Sequence, residues 1–178
     1  MELKLKMISK DGITEAISKA TLYRYLNEPE EAESICEDIL AVEPDNQVAL
    51  RILGLAITDQ FGGQSPDRYA EAERVFGQLT DHYERSYYTG LLYERRAKAQ
   101  MYAGRPAQML ASLFQSAMSC FEEAEKIHPP NNDDAILRWN RCVRLLGRLP
   151  HEESEEGRGG FEDHDIAPVQ IVRRKMAK

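Results

Sequence analysis

Apolar residues recur at intervals of three and four positions through most of this 178-residue chain, and glycine or proline interrupts the pattern at intervals. Such spacing matches one face of an α-helix, whereas the alternation typical of a strand is nearly absent. One predicted helix face is formed by Ala16, Ala20, Tyr23 and Leu26. Breaks occur, among other places, at Gly12, Pro29, Pro44, Gly104 and Pro150. The pattern therefore predicts an all-α protein whose helices end at these breaks.

A longer periodicity relates consecutive helices to one another. Ala20 and Gly54, 34 positions apart, each occupy a small-residue position in the first helix of a pair. Each second helix has an alanine followed, four and seven positions later, by other apolar residues. This triplet occurs as Ala32-Cys36-Ile39, Ala72-Phe76-Leu79 and Ala117-Phe121-Ala124. A small side chain lets two helices approach closely, and a larger one fills the gap to the next pair.

This pattern resembles the tetratricopeptide repeat (TPR), a helix–turn–helix unit of 34 residues. The three units span about 12–46, 47–85 and 86–131, and a last helix at about 133–149 would cap the array. The resemblance implies a right-handed α-solenoid of antiparallel helix hairpins with about three degenerate repeats. Departures are Lys19 in place of the family's usual leucine, about six extra residues at 62–67, and Glu84 where proline is expected. The third unit is longer and is predicted as two helices, 86–103 and 106–127.

The two ends differ from the repeats in composition. Residues 1–11 are predicted to be a loose segment, and 12–149 to be the TPR-like helical domain. Residues 150–178 are predicted to be a flexible tail with an acidic, glycine-rich linker and a basic end, Arg173-Arg174-Lys175.

Charge and hydropathy limit the possible partners and compartment. The 30 acidic residues exceed the 23 Lys and Arg residues, which disfavours general nucleic-acid binding. The longest near-apolar run, 52–57, is too short to span a membrane, and no secretory signal is visible. We therefore expect a cytoplasmic protein with neither membrane nor nucleic-acid partners. Residues 13–84 hold 5 basic and 15 acidic side chains, whereas 85–149 hold 10 and 6, so the second half should attract an acidic or mixed-charge partner.

Motifs for catalysis or cofactor binding are absent from the sequence. It contains no phosphate loop, no nucleophile elbow, no zinc-protease helix motif and no dinucleotide fingerprint. The four histidines lie far apart, and His164 in the tail offers only neighbouring acids as fellow ligands, so no metal site is predicted. Cys36, Cys120 and Cys142 lack metal-binding spacing and are expected to be buried apolar residues. We expect a protein without a cofactor that is not an enzyme.

The TPR resemblance places a binding groove on the first helices of the pairs. It implies the candidate groove residues Arg24, Tyr25, Arg51, Tyr87, Tyr88 and Arg95. Tyrosine and arginine often dominate interface energies, and the guanidinium fork suits carboxylates. The alternative is that the tyrosines pack between hairpins and the arginines are solvated.

The predicted last helix carries an arginine stripe, Arg138, Arg141 and Arg148, at helical spacing. It would dock an acidic segment, or else it is the solvated face of a capping helix. The favoured function is a scaffold or adaptor that binds a peptide or helix of a protein partner, possibly acidic, in the groove. The alternatives are a small acidic TPR chaperone or escort for a secreted or assembling partner, and a structural module that forms homo-oligomers through its C-terminal tail.

Overall fold

The computed structural model describes residues 3–62 and 66–149. Within these ranges the chain forms a short 3-10 helix, Lys10–Gly12, and seven α-helices, without any strand. The helices are α1 (Ile13–Tyr25), α2 (Pro29–Val42), α3 (Gln47–Asp59), α4 (Pro66–Gly77), α5 (His82–Tyr102), α6 (Ala107–Lys126) and α7 (Asp134–Leu146). The prediction of an all-α protein is confirmed. The predicted tail, 150–178, lies outside the described residues.

Helix boundaries follow from local sequence signals. The Asn46 side chain caps α3 by accepting a hydrogen bond of 3.0 Å from the backbone N–H of Ala49. Asp81 caps α5 in the same way, at 2.8 Å from the N–H of Glu84, so α5 begins four residues before its predicted start. Asn27, in the loop between α1 and α2, and Asn131, in the loop between α6 and α7, have positive φ angles of 61° and 63°. These turns reverse the chain between helices.

The helices pack in the order of the sequence, each against the next. In addition, α1 contacts α3, α3 contacts α5, and α5 contacts α7. The odd-numbered helices therefore share one side of the molecule. Of these, α1, α3 and α5 are the first helices of the predicted pairs, and α7 is the predicted capping helix. None of the helices in the described part of the chain is long and apolar enough to cross a membrane.

Close approach within the α3–α4 and α5–α6 pairs depends on a glycine in each. A Cβ at Gly54 would overlap the ring of buried Phe76, and one at Gly90 would lie 2.7 Å from Cε1 of Phe121. Both rings are fully buried, so their space exists only because the facing residue is glycine. The close approach predicted at Gly54 is confirmed, but Phe76 fills the space against it within the same pair. Phe76 also stacks on Tyr88 of the next pair, as the pattern predicted for a large residue. Sequence reasoning missed Gly90, which has the same role in the longer third unit.

The described cysteines behave as core residues. Cys36 and Cys142 are fully buried, Cys120 is half-buried, and all three are free thiols. Burial raises the pKa of Cys36 and of Cys142 to about 12, so both stay protonated and act as small apolar side chains.

Candidate binding cleft on the odd-numbered helices

The structure divides the predicted groove residues into two groups, with Tyr25 apart from both. Arg24 and Arg95 meet at Asp59, whereas Arg51, Tyr87 and Tyr88 line a cleft. Tyr25 lies on α1 with 82% of its surface exposed and joins neither group.

The first group forms an ionic cluster, the Asp59 cluster, of Arg24, Thr58, Asp59 and Arg95. Arg24 donates from Nε to Oδ2 of Asp59 at 2.8 Å, and its Nη2 lies 2.7 Å from the same oxygen as an ion pair. Arg95 donates to Oδ1 of Asp59, to Oγ1 of Thr58 at 2.6 Å and to the carbonyl oxygen of Leu55 at 3.1 Å. Burial lowers the pKa of Arg95, although Asp59 opposes this effect.

The Asp59 cluster joins three helices by side chains of opposite charge. Arg24 is on α1, Asp59 ends α3, and Arg95 is near the middle of α5. Both guanidinium groups are about one-fifth exposed and already bind a carboxylate. Their geometry therefore supports the contact between odd-numbered helices, and a partner carboxylate would have to displace Asp59 to reach them.

The second group lies in a cleft of about 400 Å³, here called the tyrosine cleft. It forms where the starts of α3 and α5 meet the loop before α7 and the first residue of α7. Its lining residues are Gln47, Arg51, Asp81, Tyr83, Glu84, Tyr87, Tyr88, Pro129, Asn132 and Asp134.

Three tyrosines of α5 form the wall of the cleft. The rings of Tyr83 and Tyr87 stack with centroids 5.8 Å apart and planes at 17°. Tyr88 meets Tyr87 edge to face at 5.2 Å and stacks on Phe76 at 5.4 Å. Burial raises the pKa of Tyr88 to about 12, so this hydroxyl stays protonated near pH 7. The Tyr83 hydroxyl donates to Oδ1 of Asn132 at 3.2 Å, which ties this wall to the loop before α7.

Carboxylates dominate the polar edge of the cleft. Arg51 forms an ion pair with Glu84 across α3 and α5. The two remaining carboxylates, on Asp81 and Asp134, belong to exposed residues at the starts of α5 and α7. Asp81 also accepts the capping hydrogen bond of α5. The cleft therefore offers an aromatic wall and an acidic edge to an incoming group.

Seven lining residues were not among the predicted groove residues: Gln47, Asp81, Tyr83, Glu84, Pro129, Asn132 and Asp134. Tyr83 precedes Tyr87 by one helical turn, and that spacing would have placed it on the same face. The contribution of Asn132 and Asp134 depends on how the loop between α6 and α7 returns to α5, for which the sequence gives no signal.

The arginine stripe does not lie on one exposed face. Arg141 and Arg148 are exposed, but Arg138 is partly buried, with Nη1 3.5 Å from Oε1 of Glu94. Burial lowers the pKa of Arg138, but a hydrogen bond with Tyr87 and the charge of Glu94 outweigh it, so the pKa is raised. Arg138 thus supports the back of the aromatic wall.

Glu94 is a buried carboxylate that sequence reasoning missed. It is fully buried in α5, and Lys98 Nζ lies 2.5 Å from its Oε1. Neither carboxylate oxygen receives a well-directed hydrogen bond from the described residues, so charge attraction from Lys98 and Arg138 is its main compensation. The contact of Glu94 with Arg138 links α5 to α7.

No family model and no curated protein matches the sequence. Within residues 3–62 and 66–149, no three His, Cys, Asp or Glu side chains are grouped as a metal ion would require. The functional proposal therefore depends on the geometry of the cleft.

Proposed function

We propose that this protein is a non-enzymatic TPR-like interaction module that binds a peptide or helix of a protein partner in the tyrosine cleft. The observation that carries this proposal is the stacked wall of Tyr83 and Tyr87 beside a polar edge. Tyrosine combines a large apolar ring with a hydrogen-bonding hydroxyl and loses little conformational entropy on binding. A cleft of about 400 Å³ has room for a few partner side chains.

The position of the cleft supports the TPR-like interpretation. It lies among α3, α5 and the start of α7, which are odd-numbered helices, and α5 contacts both of the others. In a right-handed solenoid of helix hairpins, the first helices line the concave face. The glycine–phenylalanine contacts at Gly54 and Gly90 are the close approach that such hairpins need.

We place the protein in the cytoplasm. Cys36, Cys120 and Cys142 are free thiols, and free thiols are typical of a reducing compartment.

A pair of tyrosine substitutions on one helix tests the proposed function. Tyr83 lies at the start of α5 in the cleft, whereas Tyr102 lies at its end with 85% of its surface exposed. Affinity capture from cell extract followed by mass spectrometry would compare wild type, Tyr83→Ala and Tyr102→Ala. We expect Tyr83→Ala to lose partners that wild type and Tyr102→Ala both retain. Equal recovery by all three proteins, with α-helical content unchanged, would contradict the assignment of the cleft.

A further inference from the structure

We propose that the tyrosine cleft selects a positively charged segment, with an arginine or lysine side chain of the partner seated between the Tyr83–Tyr87 wall and the carboxylates of Asp81 and Asp134. This inference rests on the proposed function and names the chemistry of the partner. It differs from the acidic partner expected from the arginine-rich second half of the sequence.

The groove arginines are already neutralised within the fold. Arg24 and Arg95 share Asp59, and Arg51 pairs with Glu84 at the edge of the cleft. A carboxylate of an acidic peptide could bind one of these arginines only by breaking its ion pair, which would leave a carboxylate of the protein without its partner. The positive charge counted in the sequence is therefore not offered to a ligand at this surface.

Helix N-termini at the cleft offer little to an anion either. The starts of α3, α5 and α7 all contribute lining residues, and free backbone N–H groups at such positions would attract negative charge. Here side chains accept from them: Asn46 from Ala49, Asp81 from Glu84, and Asn132 from Asp134 at 2.9 Å. Each of these side-chain oxygens occupies one N–H group that an anion could otherwise bind.

The charge of the lining favours a cation. One arginine, Arg51, stands against the carboxylates of Asp81, Glu84 and Asp134. Since Arg51 and Glu84 pair, Asp81 and Asp134 are the charged groups left facing solvent. Their attraction for a partner cation should weaken with added salt because both are exposed.

The aromatic wall adds a second reason for a cation. A guanidinium or ammonium group above a tyrosine face is attracted by the electrons of the ring, and arginine also stacks on it. This protein already contains such a contact, since Cζ of Arg96 lies 4.6 Å from the ring centre of Tyr69. The Tyr83 and Tyr87 rings offer a comparable surface next to carboxylates.

Matched peptides and charge reversals test this inference on the full-length chain. The probes are a fluorescein-labelled decapeptide of alternating arginine and serine, and the same peptide with glutamate in place of arginine. Fluorescence anisotropy would measure their affinities for wild type, Asp134→Lys and Glu37→Lys. Glu37 is exposed on α2, outside the cleft, so its reversal makes the same change in net charge. We expect the arginine peptide to bind better than the glutamate peptide. Asp134→Lys should weaken binding of the arginine peptide about fivefold, and Glu37→Lys should have little effect on it.

Each other outcome would overturn the inference. Equal weakening by both reversals would mean attraction to net charge alone. Tighter binding of the glutamate peptide, or no binding of either probe, would reject a cationic partner, yet the capture experiment with Tyr83→Ala could still support the proposed function. Binding of the arginine peptide only after Arg173, Arg174 and Lys175 are replaced by serine would make the chain's own basic end the occupant, in place of a partner.

Discussion

The Asp59 cluster and the tyrosine cleft lie on the same odd-numbered helices and are built from similar residues, but their side chains are used differently. In the cluster, two guanidinium groups share one carboxylate, and Arg95 also binds Thr58 and a backbone carbonyl. In the cleft, the tyrosine wall and the carboxylates of Asp81 and Asp134 face open space. The comparison teaches that arginine on a predicted groove face can be fully paired within the fold, so its presence in the sequence does not by itself mark a binding site.

The largest effect on stability should come from Tyr88, which lines the cleft and also packs against the hydrophobic core. Tyr88 stacks on Phe76 and packs against the core of α1–α4, whereas Tyr83 packs at the edge. Tyr88→Ala should lower the free energy of unfolding by about 3 kcal/mol, and Tyr83→Ala by about 1 kcal/mol. Urea unfolding followed by circular dichroism would measure both. Equal losses would mean that the two tyrosines do not divide into a structural and a binding residue.

A smaller effect should separate the carboxylates of the two regions. Asp59→Ala leaves Arg24 and Arg95 without their shared partner, and we expect a loss of about 2 kcal/mol in unfolding free energy. Asp134→Ala should cost about 0.5 kcal/mol, mainly through the charge at the start of α7. Asp59→Asn, which keeps a hydrogen-bond acceptor, is the control and should fall between them. If Asp59→Ala were as mild as Asp134→Ala, the cluster would not support the fold.

The smallest effect is a pH dependence of stability at the Glu33–Arg68 ion pair, which lies outside both regions. Arg68 on α4 donates to both oxygens of Glu33 on α2, at 2.9 and 2.6 Å. This pairing lowers the pKa of Glu33 below its ordinary value of 4.5. The contribution of the Glu33 carboxylate to the free energy of unfolding is therefore fully present above about pH 4.5 and is lost as pH falls through the lowered pKa.

Glu33→Gln should remove this dependence. The free energy of unfolding of wild type should exceed that of the variant by about 1 kcal/mol at pH 7, and this difference should shrink as the pH falls below 4.5. Thermal unfolding at a series of pH values would measure it. A difference that stayed constant down to acid pH would show that the charge of Glu33 adds nothing to stability.

Much of the fold could be predicted because helical periodicity and caps are local. The apolar spacing and the proline at the start of α2 predicted most of the helices. The triplet containing Phe76 predicted one of the close contacts. The start of α5 was placed too late because the cap at Asp81 was not recognised. Gly90 was missed because the longer third unit does not keep the 34-residue spacing.

The site could be predicted only in part because pairing is a long-range property. Tyr87, Tyr88 and Arg51 were assigned to a groove, and they do line one cleft. Arg24 and Arg95 were assigned to the same groove, but they reach Asp59 from 35 and 36 positions away. Nothing in the local sequence indicates that one aspartate, Asp59, pairs with both arginines. The direction of Arg138 likewise depends on Glu94, a buried residue of another helix.

Site-specific photo-crosslinking tests most directly whether the cleft is the binding surface. A benzophenone amino acid would replace Tyr83 in the cleft or Arg144 on the exposed face of α7, and each protein would be irradiated in cell extract. Our account predicts that position 83 captures a partner segment that position 144 does not. Crosslinks from position 144 alone, or the same products from both positions, would contradict it.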